Sequence, residues 1–93
     1  DGNFIIKRVD NHIFISGILT PGVVTKNTVL FYLPQFATPS NTLRLPVFEK
    51  RVGEPSQVYI VDIRDDRTVR VDYETDWNAG TYSKYIFNLQ YSL

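Results

Sequence analysis

His12-Ile-Phe-Ile-Ser-Gly-Ile-Leu19, Thr28-Val-Leu-Phe-Tyr-Leu-Pro34, Leu43-Arg-Leu-Pro-Val-Phe48 and Val58-Tyr-Ile-Val-Asp-Ile-Arg-Asp-Asp-Arg-Thr-Val-Arg-Val-Asp-Tyr73 decide the fold class of this chain. Each is a short run rich in β-branched and aromatic side chains. The runs are separated by Pro, Gly and Asn, as at Pro21-Gly22 and Ala37-Thr-Pro-Ser-Asn41. No helical period competes with the two-residue alternation, so an all-β domain is expected.

Working outward, the pattern predicts seven strands over Asn3–Val9, His12–Leu19, Thr28–Leu33, Leu43–Glu49, Ser56–Arg64, Arg67–Tyr73 and Tyr82–Tyr91. Asp10-Asn11 and Asp65-Asp66 are expected to be two-residue hairpin turns, because Asp and Asn tolerate positive φ. On the second hairpin, Tyr59, Val61 and Ile63 should share one face, as should Val69, Val71 and Tyr73. Arg70 and Asp72 should then face the other way. The stretches Thr20–Asn27, Pro34–Thr42 and Arg51–Pro55 are too long for tight hairpins and read as crossings between two sheets. The expected architecture is a small antiparallel β-sandwich or barrel with Greek-key or jelly-roll-like connections. Pro46 inside an apolar run places its strand at an edge or a bulge.

Ninety-three residues suffice for a single domain with a real core. The chain begins at Asp1 and has no Met, so it is expected to be cut from a longer polypeptide. Ten basic and ten acidic residues cancel, leaving no whole-chain field to attract nucleic acid or anionic lipid. Neither partner is expected. No apolar run approaches the roughly 20 residues of a membrane helix, and no signal-peptide pattern is present. Without Cys there are no disulfides and no thiolate metal sites, which favours a bacterial or viral origin or stabilisation by oligomerisation.

Chemistry-bearing motifs are few. The single histidine, His12, follows a turn and has no triad or metal partners at local spacing, so it reads as an ordinary strand residue. No Ser or Thr lies in a Gly-flanked elbow. Carboxylates gather at Asp62/Asp65/Asp66 and Asp72/Glu74/Asp76, the first group interleaved with Arg64 and Arg67. Such alternation signals solvated cross-strand pairs. It lacks the loop glycine and terminal Glu of an EF-hand. Catalysis, metal binding and cofactors are not expected.

Tyr73-Glu-Thr-Asp-Trp-Asn-Ala-Gly-Thr-Tyr82 is more suggestive, since it sets the only Trp in a polar stretch. An aromatic ring can stack on the C–H face of a sugar while short polar groups read its hydroxyls. Trp77, Asp76, Asn78 and Tyr82 are therefore candidate saccharide contacts. Asp62, Arg64, Arg70 and Asp72 along the hairpin are a second set. The alternative for Trp77 is structural, plugging the open end of the sandwich.

The order of motifs from His12 to Asp72 resembles the C-terminal head domain of receptor-binding proteins on the tails of phages that infect Gram-positive bacteria. The resemblance rests on five elements in order: Ile13-Phe-Ile-Ser-Gly17, Leu30-Phe-Tyr-Leu-Pro34, Phe36-Ala-Thr-Pro39, Leu43-Arg-Leu-Pro46, and Ile60-Val-Asp-Ile63 leading into Thr68-Val-Arg-Val71. It implies a homotrimeric β head on a tail fibre or baseplate, joined to an upstream shaft, located on the virion tail and binding a cell-wall saccharide near or between subunits. Heads of that kind often carry His, Asp and Trp along the hairpin. Here only Asp62 matches, with Ile60 at the His position and Val71 or Asp72 at the Trp position. Two other readings stay open: a structural trimerisation or cap domain without its own receptor, and a carbohydrate-binding module of a secreted bacterial enzyme, which would be monomeric. The aromatic and β-branched content suggests a trimer axis lined by apolar residues from at least one sheet.

Overall fold

A computed structural model describes residues 2–20, 23–50, 57–78 and 84–93. Among these described residues nine strands are present: β1 (Gly2–Val9), β2 (His12–Leu19), β3 (Val23–Val24), β4 (Val29–Tyr32), β5 (Leu43–Lys50), β6 (Gln57–Ile63), β7 (Thr68–Val71), β8 (Trp77–Asn78) and β9 (Lys84–Ser92). Seven form one sheet in the order β1-β2-β9-β5-β6-β7-β4, and β3 pairs with β8. The all-β architecture read from the sequence is the one observed. The additions are the short β3–β8 pair and a 3-10 turn at Gln35–Ala37. No helix among the described residues is long and apolar enough to cross a membrane.

The seven-stranded sheet folds over on itself. β9 pairs with β2 along its length, from Tyr85 to Ser92, but meets β5 only at Lys84–Ile86. Beyond that corner the sheet divides into a β1-β2-β9 layer and a β5-β6-β7-β4 layer. The second layer is a Greek key, since β5, β6 and β7 are neighbours and β4 returns beside β7. The parting of β5 from β9 also explains Pro46. Its half of β5 pairs with β6 alone, so the strand has a local edge there and no hydrogen bond on that side needs a donor.

Period-two alternation builds the core. Ile13 and Ile15 of β2, Tyr85, Phe87, Leu89 and Tyr91 of β9, Val47 of β5, Val61 and Ile63 of β6, and Val69 and Val71 of β7 are buried. The two edges of the sheet meet through side chains: Phe4 of β1 stacks on Phe31 of β4 at 4.3 Å, and Phe87 closes on Phe4 at 5.0 Å. A continuing aromatic group joins Trp77 to Tyr85 at 4.9 Å and to Tyr59 at 5.7 Å. Much of the aromatic content therefore lies in the interior. Burial pushes the Tyr91 phenol up to about 12, and its hydroxyl donates to the Ala37 carbonyl at 2.6 Å. The buried Glu49 accepts from the Tyr59 hydroxyl at 2.9 Å.

Three local expectations are corrected. The Asp10-Asn11 turn forms as expected, with φ 54° at Asp10. The second hairpin instead has a three-residue loop, Asp65-Asp66-Arg67. The Arg67 amide donates to the Arg64 carbonyl at 3.1 Å, and the Arg64 amide donates to Thr68 at 3.0 Å. Positive φ falls on Arg67 (72°), the left-handed position that follows a type I turn in such loops. β5 and β6 are antiparallel neighbours in one layer, where a crossing between two sheets was expected; Arg51–Pro55 itself lies outside the described residues. β7 ends at Val71, and Tyr73 lies outside the strand, 58% exposed.

Candidate functional site

Register decides what gathers on the outer face of the second layer. Side chains of directly opposed residues share a face. Arg44 of β5 lies opposite Asp62 of β6, and Asp62 lies opposite Arg70 of β7. The chain leaves β7 at Asp72, whose amide still donates to the Ile60 carbonyl at 3.2 Å. Asp62 and Asp72 thus project from adjacent rows of the same face. Both are buried although that face is the outer one.

Arg44 covers them. Its Nη2 donates to Asp72 Oδ1 at 2.8 Å, its Nε lies 3.3 Å from Asp62 Oδ1, and its Nη1 lies 3.8 Å from Glu74 Oε1. The guanidinium also sits over the Tyr73 ring, 5.4 Å from the centroid. Asp72 Oδ1 accepts the Glu74 amide at 3.0 Å, which turns the chain just after β7. The Nε contact is poorly aligned, so Asp62 Oδ1 has an ion-pair neighbour but no hydrogen bond. Burial raises the Asp62 pKa, Arg44 opposes the rise, and the Asp72 carboxylate adds to it. Arg44 thus contacts three carboxylates, while Arg64 and Arg70 lie on the same face and offset part of their charge.

A second group sits at the hairpin tip. Asp66 Oδ1 accepts both the Thr68 hydroxyl at 2.5 Å and the Thr68 amide at 3.0 Å. Those hydrogen bonds hold the Asp66 carboxyl below the ordinary range, helped by Arg64 and Arg70. Arg70 donates from Nε to the Thr68 hydroxyl at 3.0 Å and lies 3.7 Å from Asp66; Arg64 lies 3.9 Å from it. These pairs close around the hairpin loop; the cross-strand ion pair of this face is Arg44 with Asp62.

The candidate residues therefore separate. Asp62, Arg64, Arg70 and Asp72 share one face with Arg44, Tyr73 and Glu74. Sequence reasoning missed Arg44 and Tyr73. Alternation marks Arg44 as outward-facing, between Leu43 and Leu45, but its pairing with Asp62 depends on a strand contact 18 residues away. Trp77 requires a correction. Its side chain is 0% exposed, packed on Tyr59, Tyr85 and Phe87, so it has no free face on which a sugar can stack. Its Nε1 has no hydrogen-bond partner among the described residues. Asp76 is exposed, and its Oδ1 accepts the Lys26 amide at 2.7 Å, holding the β2–β4 connection. Asn78 is exposed in β8. Tyr82 lies outside the described residues. His12 contacts Ser92 at 3.3 Å and Gln90 at 3.2 Å as an ordinary strand residue. Among the described residues, no group of three or more His, Cys, Asp or Glu side chains is placed to hold a metal ion.

No family model matches the sequence, and no curated protein is significantly similar to it. The fold is similar to a solved structure, the head domain of phage bIL170, studied among the receptor-binding domains of lactococcal phages. The TM-score is 0.61 at 14% identity, over 100% of this chain and 86% of that one. At that identity the likeness is one of fold.

Proposed function

We propose that this domain is the host-recognition head of a phage tail or baseplate protein, working as a homotrimer on the virion and binding a saccharide of a Gram-positive cell wall. The fold likeness to a phage receptor-binding head supports the role. The observation that carries the binding site is the outer-face cluster. There Arg44 is held between Asp62 and Asp72 with the exposed Tyr73 ring beside it.

The chemistry suits a sugar. A hexose offers a C–H face for an aromatic ring and adjacent hydroxyls for bidentate acceptors and donors. Here the carboxylates accept, the guanidinium donates and Tyr73 supplies the ring. Strand register sets Arg44 and Asp62, and the ring of Tyr73 is held against the Arg44 guanidinium, before any ligand arrives, which lowers the ordering cost of binding. Arg64 and Arg70 extend the polar surface toward the hairpin tip. Binding needs no metal and breaks no bond.

The test is adsorption of the protein to purified Gram-positive cell walls and to glycan arrays. Arg44→Ala and Tyr73→Ala, each checked for folding by circular dichroism, should lose binding, whereas Trp77→Phe should retain it. Adsorption unchanged in both of the first two variants would remove the saccharide site from this face. An oligomer with no glycan or wall binding at all would favour the structural cap instead.

A further inference from the structure

The outer face of the β1-β2-β9 layer has a different chemistry from that of the second layer, since none of its outward strand residues is acidic. On β2, His12, Phe14 and Ser16 alternate with the buried Ile13 and Ile15, so they face outward. On β9, Asn88, Gln90 and Ser92 alternate with Leu89 and Tyr91 in the same way. Register sets them in rows: His12 lies opposite Ser92, Phe14 opposite Gln90, and Ser16 opposite Asn88. The rows run about 14 Å from His12 to Ser16 at the usual strand rise. Phe14 is 36% exposed, and Ser16, Asn88, Gln90 and Ser92 are exposed as well. On the far side of β2, Ile5 of β1 lies opposite Ser16 and is 59% exposed. The charged side chains of this face are Lys7, opposite Phe14 on β1, and Lys84 at the other end of β9.

The polar groups are held in place by one another. The His12 ring meets Phe14 edge to face, with centroids 4.8 Å apart and planes at 61°. Its Nε2 lies 3.2 Å from Gln90 Oε1 and its Nδ1 lies 3.3 Å from Ser92 Oγ. A carbonyl oxygen only accepts, so Nε2 carries the proton, and Nδ1 of the neutral ring accepts the Ser92 hydroxyl. That arrangement leaves the Gln90 N–H donors and the Ser92 lone pairs for a ligand.

We infer that this face is a second saccharide contact, taking a run of uncharged hexose units laid along β2 and β9. Sugar C–H faces lie against Phe14 and Ile5, and hydroxyls meet Ser16, Asn88 and Gln90. The inference rests on the saccharide reading proposed above and adds a site of different chemistry to it. An uncharged chain fits because the face offers rings, amides and hydroxyls, with no carboxylate or guanidinium to pair with a charge. One lysine beside Phe14 is too little to hold a polyanion. A protein surface fits less well, because the amides of Asn88 and Gln90 would be desolvated at its centre, and each left unpaired costs free energy. A sugar hydroxyl both donates and accepts, so it satisfies either end of an amide.

The experiment follows the backbone amide shifts of the isotope-labelled chain at low and high salt. The probes are uncharged oligomers of glucose, galactose, rhamnose and N-acetylglucosamine, and solubilised Gram-positive wall polysaccharide. Shifts are expected at Phe14, Ser16, Asn88 and Gln90, unchanged by salt. Phe14→Ala and, separately, Asn88→Ala should weaken binding roughly tenfold or more, with circular dichroism unchanged. No shift at these residues with any probe overturns the inference. So does binding abolished by salt or by Lys7→Ala, which would make the ligand an anion. Self-association that shifts the same residues without glycan overturns it too, in favour of a second copy. The two readings fail separately. Shifts confined to the surroundings of Arg44 and Tyr73 end this one alone. Shifts at Phe14 and Gln90, with wall adsorption kept in Arg44→Ala and Tyr73→Ala, end the Arg44 site alone.

Discussion

The stretch around Trp77 and the outer face of β5–β7 hold the same kinds of side chain, an aromatic ring beside short carboxylates. They end in opposite environments. Trp77 is closed off by Tyr59, Tyr85 and Phe87, and the nearby Asp76 serves as a turn acceptor for Lys26. On the other face Tyr73 stands 58% exposed above Arg44, and the acids beneath are buried but ion-paired. Residue type alone does not make a recognition surface. What matters is whether the sheet leaves the ring open and the charges fixed.

The largest expected effect tests the first half of that contrast. Trp77→Ala should cost about 3–5 kcal/mol, as for any large buried aromatic, and lower the melting temperature sharply. Ile63→Ala, at a 0% exposed position on β6, should cost about 2–5 kcal/mol. Trp77→Phe should cost less than Trp77→Ala, since it keeps most of the packing and removes an indole N–H that has no acceptor. A Trp77→Ala protein that melts with wild type would return this residue to the surface and to sugar binding.

Next is the guanidinium clamp. Arg44→Ala leaves Asp62 and Asp72 buried without their counter-charge, so thermal unfolding should shift clearly downward. Asp62→Ala in the Arg44→Ala background should then cost far less than in wild type. An additive double-mutant cycle would show that the clamp is a crystal-like surface pair of little energetic consequence.

The pH dependence sharpens the contrast between the two carboxylate groups. A carboxyl whose folded pKa is raised binds its proton more tightly when folded. The Asp62 contribution therefore favours folding at low pH and is lost as pH rises from the ordinary Asp value of about 4 through the raised one. Asp66 runs the other way: its contribution is present above about 4 and is lost as pH falls through its lowered value. Melting curves between pH 2 and 7, with the limits chosen to be roughly two to three units either side of an ordinary Asp, should separate them. Asp62→Asn should remove the loss on the alkaline side, and Asp66→Asn the loss on the acid side. If neither variant changes the profile, burial and hydrogen bonding at these sites are not as described.

The smallest effect lies at the hairpin tip. Arg67→Gly relieves positive φ but loses the Arg67 Nε donation to the Leu33 carbonyl at 3.0 Å, so the net change should stay within about 1 kcal/mol. Asp66→Gly, which a two-residue turn would make neutral or mildly stabilising, should instead destabilise, because Asp66 holds both the amide and the hydroxyl of Thr68. Equilibrium denaturation of the two variants checks the loop assignment. A more stable Asp66→Gly would restore the shorter turn.

Much of the fold was legible in the chain itself. Alternation, turn residues and the absence of any helical period are local properties. They marked the seven strands of the main sheet, the Asp10-Asn11 turn and the shared faces of Val61 with Ile63 and of Val69 with Val71, with little help from distant contacts. Asp62, Arg64, Arg70 and Asp72 were legible as outward-facing hairpin charges for the same reason. What the chain could not show was partnership across sequence. The position of the Arg67 turn depends on how two strands align, and the pairing of Arg44 with Asp62 and Asp72 depends on which strand lies beside β6. The burial of Trp77 depends on β8 pairing with β3 and on the aromatic rings that close over it. The polar face from Phe14 to Gln90 exists only because β2 and β9 lie side by side in register. Periodicity is set by each residue and its immediate neighbours, whereas register and burial are set by the whole sheet, so only the tertiary structure decides which outward side chains become one surface.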